Sequence, residues 1–223
     1  FVQRAKESAH DILREELTQT RNTYGYLDAI GEQDGEDPTR RWIVNAIDGL
    51  PNFLHAQPHF AVTIALEHKG KIVSAVVFDP AKDEMFYAEK GQGAWLNDNK
   101  RVRVSSRVKL VEALVGHVVP FGVKRTLPAT MKDMARLMPE CAGMRASGTT
   151  SLDLAYVASG RLDGFWQREA SVLDLAAGTL IASEAGALIE GIRTGQQPLE
   201  DGAILCANTH VFNAFAKVIR TTD

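Results

Sequence analysis

The sequence predicts one compact unit of mixed α+β and α/β architecture, with its strands and helices arranged in layers. Residues 1–110 carry a meander of β-rich segments behind one amphipathic helix, which predicts an α+β half with an antiparallel sheet. Residues 111–223 alternate strands with helices, which predicts an α/β half. The length of 223 residues suits one large domain or two halves that share a core.

The first half begins with a helix and continues into the sheet. Apolar residues recur at intervals of three and four over residues 2–17, which predicts an amphipathic helix. The acidic, proline-broken stretch 28–41 predicts a surface loop before a short apolar strand at 42–44. Four β-rich segments then form the predicted meander: 59–68, 71–79, 84–88 and 92–96.

The second half predicts alternating elements of both kinds. Strands are predicted at residues 113–119, 162–166, 187–189 and 203–207. Helices are predicted at residues 129–138, 151–159, 172–185 and 211–219. Gly160 and Gly186 directly follow two of these helices, a position where glycine commonly ends a helix.

Composition and charge exclude several classes of protein. Lys and Arg number 25 against 28 Asp and Glu, a net charge of −3, which predicts no strong nucleic-acid binding. The apolar runs are shorter than the roughly 18–20 residues of a membrane span, and residues 1–10 do not resemble a signal peptide. We therefore expect a cytoplasmic protein with no membrane partner, in which Cys141 and Cys206 are reduced thiols.

A polar cluster follows the strand predicted at residues 42–44. Asn45 and Asp48 place two oxygen-bearing side chains at a strand end, and Gly49 gives the backbone beside them freedom to turn. Such oxygens suit a hard cation that leaves positions open for phosphate and water. The alternative is that Asn45 and Asp48 only cap a turn, and from these residues alone that is the more frequent outcome.

A second polar cluster combines two helix starts. Free amides after Gly148 are suited to hold an anion, whose charge the helix dipole favours. A residue among 149–151 is equally well explained as the N-cap of that helix. Asp174 stands three residues after Ser171, the spacing of a capping box, so a functional Asp174 is the less frequent alternative on this evidence.

The two clusters together match a known pattern. WIVNAIDGLPNF at 42–53 resembles the inositol monophosphatase signature W-[IV]-[IV]-D-P-[IL]-D-G-T-x-N-F, and SVLDLAAGTLIASEAG at 171–186 resembles its second signature. Residues 60–98 and 145–166 resemble its central sheet and substrate-side region, most of all in the bacterial SuhB-like branch. The resemblance implies a layered α-β-α-β-α sandwich, a homodimer, and Mg²⁺-dependent hydrolysis of inositol monophosphates or similar small phosphomonoesters.

The resemblance also implies a set of site residues. The positions of the metal ligands are Asp28, Asn45, Ile47 (through its carbonyl), Asp48 and Asp174. The substrate-binding positions are Gly49, Leu50, Gly148, Thr149, Ser151 and Gln167. The catalytic candidates are Asp48 with Asp28 or Glu32, because the alignment to the family's acidic pair needs a one-residue gap. In the family, carboxylates hold two or three Mg²⁺ ions that bind the phosphate and activate water.

The departures from the family pattern fall on the charged centre. A ligand aspartate is Asn45 here, a water-positioning threonine is Leu50, an aspartate of the first helix is Lys6, and an inositol-binding glutamate is Gln167. A family helix and a lysine-bearing loop that precede this region have no counterpart within these 223 residues. Losing one preorganised group costs roughly 10²- to 10³-fold in rate, so several losses together remove on the order of 10⁴-fold or more. We therefore expect Mg²⁺ binding to be weak or absent.

Three functions are consistent with this pattern. The first is an inositol-monophosphatase-like protein with impaired or lost phosphomonoesterase activity and a surviving binding or structural role. The second is a working Mg²⁺-dependent phosphatase whose reduced metal site uses Asp28, Asp48 and Asp174. The third is a SuhB-like partner in a transcription or other macromolecular assembly. Its surface signal is the basic run at residues 100–109, which is more often the charged face of an edge strand.

Overall fold

Two sheets form the frame of the protein, with helices between them and on their outer faces. The structure is a computed structural model that describes residues 2–98, 100–119 and 125–221, and at positions 2, 3 and 6 it describes the backbone only. The predicted cation of the Lys6 side chain therefore lies outside the described residues. None of the described helices combines the length and the hydropathy that a membrane span requires.

The larger sheet follows helix α1 (Val2–Thr20) and comprises eight strands. These are β1 Tyr24–Leu27, β2 Glu32–Gln33, β3 Asp37–Asp48, β4 Ala61–His68, β5 Lys71–Asp79, β6 Glu84–Glu89, β7 Gly93–Leu96 and β8 Lys100–Val102. Their order is β2-β1-β3-β4-β5-β6-β7-β8, and every pairing is antiparallel except β1 with β3. The predicted meander is confirmed, and β8 at the end of this sheet carries the start of the basic run.

The prediction of a surface loop over residues 28–41 is wrong in its second part, where β2 forms and β3 begins at Asp37. The charged residues that suggested a loop are cross-strand partners. Arg41 on β3 forms ion pairs with Glu32 on β2 and with Glu67 on β4. Arg41 and Glu67 lie directly opposite each other on the neighbouring strands β3 and β4, whereas Glu32 lies on β2, which β1 separates from β3. Opposite charges on neighbouring strands stabilise a sheet, so a charged stretch is compatible with a strand here.

The smaller sheet has five strands and is mixed. They are β9 Leu114–His117, β10 Gly143–Arg145, β11 Gly164–Gln167, β12 Leu188–Glu190 and β13 Ile204–Ala207. Their order is β10-β9-β11-β13-β12. Strand β9 runs parallel to both of its neighbours, whereas β13 runs antiparallel to both of its own.

The remaining helices complete five layers. They are α2 Leu50–Leu54, α3 Leu127–Leu137, α4 Thr150–Ala158, α5 Val172–Glu184, α6 Pro198–Asp201 and α7 Phe212–Arg220, with short 3₁₀ turns at Leu110–Glu112 and Met138–Glu140. Helices α4 and α5 pack on each other between the two sheets, while α1 contacts β3, and α3 and α7 lie at the smaller sheet. The layered α-β-α-β-α sandwich is therefore confirmed, whereas the division of the chain at residues 110 and 111 stays a prediction.

The middle layer brings the second half of the chain onto the large sheet. Helix α5 is buried along most of its length, and small residues let it approach its neighbours closely. A Cβ added at Gly178 would lie 2.8 Å from Cβ of Leu154 on α4. This close packing of α4 on α5 fixes the N-terminal ends of both helices, and the site described below is built at those ends.

Candidate functional site

Asp48, the last residue of β3, joins the large sheet to the start of α4. Its side chain is buried, and its Oδ2 accepts hydrogen bonds from the backbone N–H of Ser151 at 2.7 Å and from the Ser151 hydroxyl at 2.6 Å. Asp48 therefore does more than cap a local turn, because it binds a helix start 103 residues further along the chain. Of the amides predicted to be free after Gly148, that of Ser151 is therefore bonded to Asp48.

The turn after Asp48 requires glycine. Gly49 has φ of +83°, and an added Cβ would lie 2.3 Å from Oγ1 of Thr149. That hydroxyl donates to the carbonyl of His59 at 2.9 Å. The Asn52 side-chain amide donates to the carbonyls of His59 and Ser147, both at 2.8 Å. These bonds hold the loop that carries Gly148 against the end of β3.

Asn45 and Asp174 meet across the site. Nδ2 of Asn45 donates to Oδ1 of Asp174 at 2.8 Å, while Oδ1 of Asn45 accepts from the backbone N–H of Ile47 at 3.3 Å. The opposite amide orientation would set oxygen against oxygen and N–H against N–H, so the hydrogen-bond network fixes this one. Residue 45 thus presents a donor, and not a ligand oxygen, to Asp174.

Asp174 has a structural role as well as a place in the site. It is the third residue of α5 and forms a capping box with Ser171, whose hydroxyl lies 2.8 Å from Oδ2 of Asp174. The predicted capping box is therefore confirmed. Both oxygens of Asp174 accept hydrogen bonds, one from the Ser171 cap and one from Asn45.

Burial changes the acidity of both carboxyl groups. Desolvation, and then the negative charge of Asp174, raise the pKa of Asp48 to about 7 against the opposing hydrogen bonds from Ser151. Desolvation also raises the pKa of Asp174, opposed by the bonds from Ser171 and Asn45. The site therefore holds less negative charge near neutral pH than two ordinary carboxylates would.

A front pocket of about 400 Å³ opens beside these groups. It is lined by Ile47, Asp48, Gly49, Leu50, Pro51, Asn52, Val118, Val119, Gly148, Thr150, Gln167 and Asp174. Most of the predicted site residues line this pocket, and Thr149 and Ser151 contact it through the bonds described above. The apolar side chain of Leu50 stands where the family pattern has a threonine hydroxyl.

Gln167 closes one end of the front pocket with both ends of its side chain already bonded. Its Oε1 accepts from the Thr150 hydroxyl at 2.7 Å, and its Nε2 donates to the carbonyl of Glu169 at 2.8 Å. Because the side chain is buried and uses its oxygen and its nitrogen within the protein, its orientation is fixed. A substrate hydroxyl would have to compete with Thr150 for that oxygen.

Asp28 faces away from the front pocket, into a polar corner beneath α1. Its Oδ1 accepts from the backbone N–H groups of Ile30 and Gly31 at 2.7 and 3.2 Å. Its Oδ2 lies 3.6 Å from both Nδ1 of His10 and a guanidinium nitrogen of Arg14. The Arg14 guanidinium is therefore the cation beside Asp28, while Oδ2 of Asp28 and Nδ1 of His10 make no hydrogen bond among the described residues.

Glu32 lies on β2 in a different groove of about 550 Å³, paired with Arg41. Neither Glu32 nor Asp28 lines the front pocket. Within the part of the chain that the structure describes, no three His, Cys, Asp or Glu side chains group together as a metal site. Their assignment as metal-binding or catalytic residues stays a prediction.

Two supporting residues of the site are missing from the sequence-based prediction. Asn52 holds the Gly148 loop, and Ser171 holds Asp174. Asn52 lies inside the quoted signature, and Ser171 was recognised only as a cap. The Asn52 amide bonds backbone carbonyls of distant residues, which a sequence pattern does not display, whereas the spacing of Ser171 and Asp174 indicates only a helix cap.

Comparison with known proteins decides the family. The model of the inositol monophosphatase family matches residues 1–222. The chain belongs to the inositol monophosphatase family. It is 46% identical over 221 residues to an inositol-1-monophosphatase of Rhizobium meliloti, and the match covers 99% of this chain and 83% of that protein.

Two further relatives of the family connect it to SuhB. The chain is 42% identical over 191 residues to the Nus factor SuhB of Pseudomonas aeruginosa, with 85% of this chain and 70% of that protein covered. The crystal structure of the extragenic suppressor protein SuhB from Bartonella henselae superposes with a TM-score of 0.92 at 38% identity, covering 96% of this chain and 83% of that one. The resemblance read from the two signatures is therefore confirmed.

Proposed function

We propose that this family member binds a small phosphate monoester in its front pocket and has little or no Mg²⁺-dependent phosphatase activity. The observation that carries the proposal is the hydrogen bond from the Asn45 amide to Asp174. In a metal-dependent site, two carboxylates that face each other share a cation. Here the neutral Asn45 amide donates an N–H to Asp174, at the position where a second carboxylate would need a shared cation.

The donor set fits a cluster of two or three Mg²⁺ ions poorly. Asp48, Asp174 and the Ile47 carbonyl supply oxygens, but Ser151, Ser171 and Asn45 already donate to the two carboxylates. When bound, such ions would neutralise the phosphate and lower the pKa of a bound water. Two carboxylates and one backbone carbonyl provide less negative charge than two or three divalent ions require.

Several features of the front pocket support the binding of a small phosphate monoester. Gly49 and Gly148, both with positive φ, bring backbone close to the pocket without side chains between them. Thr150 supplies a hydroxyl, and Leu50 and Val118 supply apolar surface for the alcohol part of a ligand. The relatives named inositol-1-monophosphatase make inositol 1-phosphate the first ligand to test.

The test compares this chain with the Rhizobium meliloti relative in one assay of inositol 1-phosphate hydrolysis over a range of Mg²⁺ concentrations. We expect this chain to be slower by on the order of 10³-fold or more. Calorimetry with inositol 1-phosphate should still detect saturable binding. Turnover within tenfold of the relative would overturn the proposal and would support the alternative, an active enzyme whose reduced metal site includes Asp28.

A second candidate function is a role in a protein assembly, favoured by the identity to Nus factor SuhB. The basic run offers a limited surface for this role, because Arg107 is already paired with Asp163 at 3.3 Å, whereas Lys100 and Arg101 are exposed on edge strand β8. Pull-down with Lys100→Gln and Arg101→Gln against the parent chain tests it. An unchanged set of partners would count against these residues.

A homodimer and a cytoplasmic location complete the proposal. The homodimer is what the family resemblance implies. The cytoplasmic location is the expectation from the sequence, whose apolar runs are shorter than a membrane span. Sedimentation velocity over a range of protein concentrations tests the dimer, and a species of monomer mass at every concentration would contradict it. Localisation of a tagged chain in cells tests the compartment.

A further inference from the structure

A second cavity lies on the other side of the Gly148 loop. This rear pocket, of about 350 Å³, is bordered by Ser147, Asp153, Tyr156, Leu162 and Arg145, and His59 lies at its edge. It shares no lining residue with the front pocket. None of its side chains has a part in the function proposed above.

Three buried polar atoms at the rear pocket have no hydrogen-bond partner: Oδ2 of Asp153, Oγ of Ser147 and Nε2 of His59. Asp153 is 1% exposed, so water outside the cavity does not solvate it. Buried polar atoms are bonded in the great majority of cases, and a group left unpaired costs stability. Three such atoms at one cavity therefore indicate a polar ligand group between them.

The protonation states of Asp153 and His59 indicate which polar group of a ligand fits between them. Burial raises the pKa of Asp153 to about 8, partly opposed by Ser147, which lies close by without reaching hydrogen-bond geometry. Burial, and then the charge of Lys82, lower the pKa of His59. Burial therefore favours the neutral forms of Asp153 and His59, and with Ser147 they offer both donors and acceptors, which suits a ligand hydroxyl.

The rest of the rear pocket is apolar, with a cation at its rim. Tyr156, Leu162 and Ala146 form the walls, and the volume exceeds the roughly 150 Å³ that holds a benzene ring. The exposed Arg145 donates to the carbonyl of Met144 at 2.9 Å and so keeps its net positive charge. The Arg161 guanidinium, in contrast, is neutralised by Glu84.

We propose that the rear pocket binds a small ring-containing carboxylate with a hydroxyl at the opposite end of the ring. The hydroxyl bonds Asp153 and Ser147, the ring packs between Tyr156 and Leu162, and the carboxylate pairs with Arg145. This site is independent of phosphate binding in the front pocket, so it stands or fails separately from the proposed function.

The test is a calorimetric titration of 4-hydroxybenzoate into the full chain. We expect saturable binding that excess inorganic phosphate does not displace, with weaker binding of benzoate and of phenol. Arg145→Gln should weaken binding by at least about tenfold, because it removes a charge-assisted contact. Arg21→Gln is the matched control, since the exposed Arg21 also donates to the carbonyl of the preceding residue, and it should change nothing.

Ala146→Phe gives a second measurement that leaves the internal hydrogen bonds intact. Ala146 is exposed at the pocket wall, so a phenyl ring there fills the cavity without disturbing the core, and it should abolish binding. Circular dichroism checks that each variant is folded. The absence of saturable binding to the parent, displacement by phosphate, or binding that survives both Arg145→Gln and Ala146→Phe would overturn the proposal.

Discussion

The carboxylates in the front pocket and the carboxylate in the corner beneath α1 are contacted by different kinds of groups. In the front pocket, Asp48 and Asp174 come from segments 126 residues apart, and neutral groups of Ser151, Ser171 and Asn45 donate to them. In the corner, Asp28 instead faces the side chains of Arg14 and His10. The two regions lie on adjacent strands, because β1 pairs with β3.

The difference shows two ways in which protein groups can balance buried acids. Hydrogen-bond donors contact the two acids of the front pocket, whose burial raises their pKa values, whereas the Arg14 guanidinium of α1 lies beside Asp28 in the corner. In both regions the backbone follows the family fold, as the superposition on SuhB shows. The layered scaffold is therefore that of the family, and the proposed difference is confined to the charge balance of the site.

The largest expected effect comes from restoring a carboxylate to the front pocket. Asn45→Asp with Leu50→Thr replaces the donor facing Asp174 by a ligand oxygen and adds a hydroxyl beside the pocket. We expect Mg²⁺-dependent hydrolysis of inositol 1-phosphate to rise by on the order of 10²- to 10³-fold over the parent chain. Phosphate release at increasing Mg²⁺ measures this, with Asn45→Ala plus Leu50→Thr as the control.

The single variants Asn45→Asp and Leu50→Thr should each raise the rate of hydrolysis only slightly, because the rate effects of residues that act together are strongly non-additive. Without Mg²⁺, Asn45→Asp should also lower stability, since a third acid then faces Asp174. If the double variant folds, binds Mg²⁺ and still shows no hydrolysis above the parent, the loss of activity does not lie in residues 45 and 50.

Gly49→Ala tests how rigidly the front pocket is held. The new Cβ meets Thr149 Oγ1 at 2.3 Å and must also adopt φ of +83°, so we expect a loss of about 3 kcal/mol in unfolding free energy. Gly91→Ala is the matched control, because Gly91 has φ of +81° with nothing within 4 Å. It should cost only about 1 kcal/mol, and equal losses in the two variants would show that the contact with Thr149 is unimportant.

The pH dependence of stability distinguishes the pocket acids from ordinary ones. Asp48 has its folded pKa raised from 3.8 to about 7, so the folded state binds this proton more tightly than the unfolded state. Its contribution favours folding at low pH and is lost as the pH rises through this range, by a few kcal/mol at most. Asp153, with a pKa of about 8, acts in the same direction.

Urea unfolding of the parent and of Asp48→Asn at about pH 5 and about pH 8 measures this effect. The variant should lose less stability than the parent between the two pH values, although Asp153 leaves it part of the slope. An identical slope in both proteins would mean that Asp48 titrates normally.

The smallest expected effect lies in the corner. Arg14→Gln leaves Asp28 with His10 and backbone donors only, but Arg14 is 37% exposed, so solvent screens much of its charge. We expect a loss of about 1 kcal/mol. A double-mutant cycle with Asp28→Asn measures the coupling, and a coupling near zero would show that Arg14 does not balance Asp28.

The sequence predicted the layers and the front pocket well for a physical reason. Helix α5 is bounded by the Ser171 capping box and by Gly186, and the β4–β5 hairpin alternates buried and less buried residues, so their observed bounds lie within two residues of the predicted ones. Asp48 and Asp174 lie in two long signatures, so the family resemblance predicts that they share one site, and both line the front pocket. Short elements such as β2 and α6 have no such pattern and were missed.

The start of β3, the contacts of Asp28 and the orientation of the Asn45 amide depend on which residues the fold brings together, and the sequence alone does not display those contacts. The charged start of β3 forms a strand because Arg41 pairs with Glu67 on the neighbouring strand β4 and with Glu32 on β2, one strand further away. Asp28 points to α1 because loop amides and Arg14 bind it there. The orientation of the Asn45 amide follows from Asp174, 129 residues away, so it could not be derived from the motif.

Calorimetric titration of Mg²⁺ into the parent chain and into Asn45→Asp tests the central claim most directly, that protein hydrogen bonds have taken the place of the metal ions in the front pocket. We predict no saturable binding to the parent at millimolar Mg²⁺ and measurable binding to the variant, because one carboxylate oxygen then replaces the amide donor facing Asp174. Saturable millimolar binding to the parent that Asp48→Asn and Asp174→Asn abolish would contradict the account.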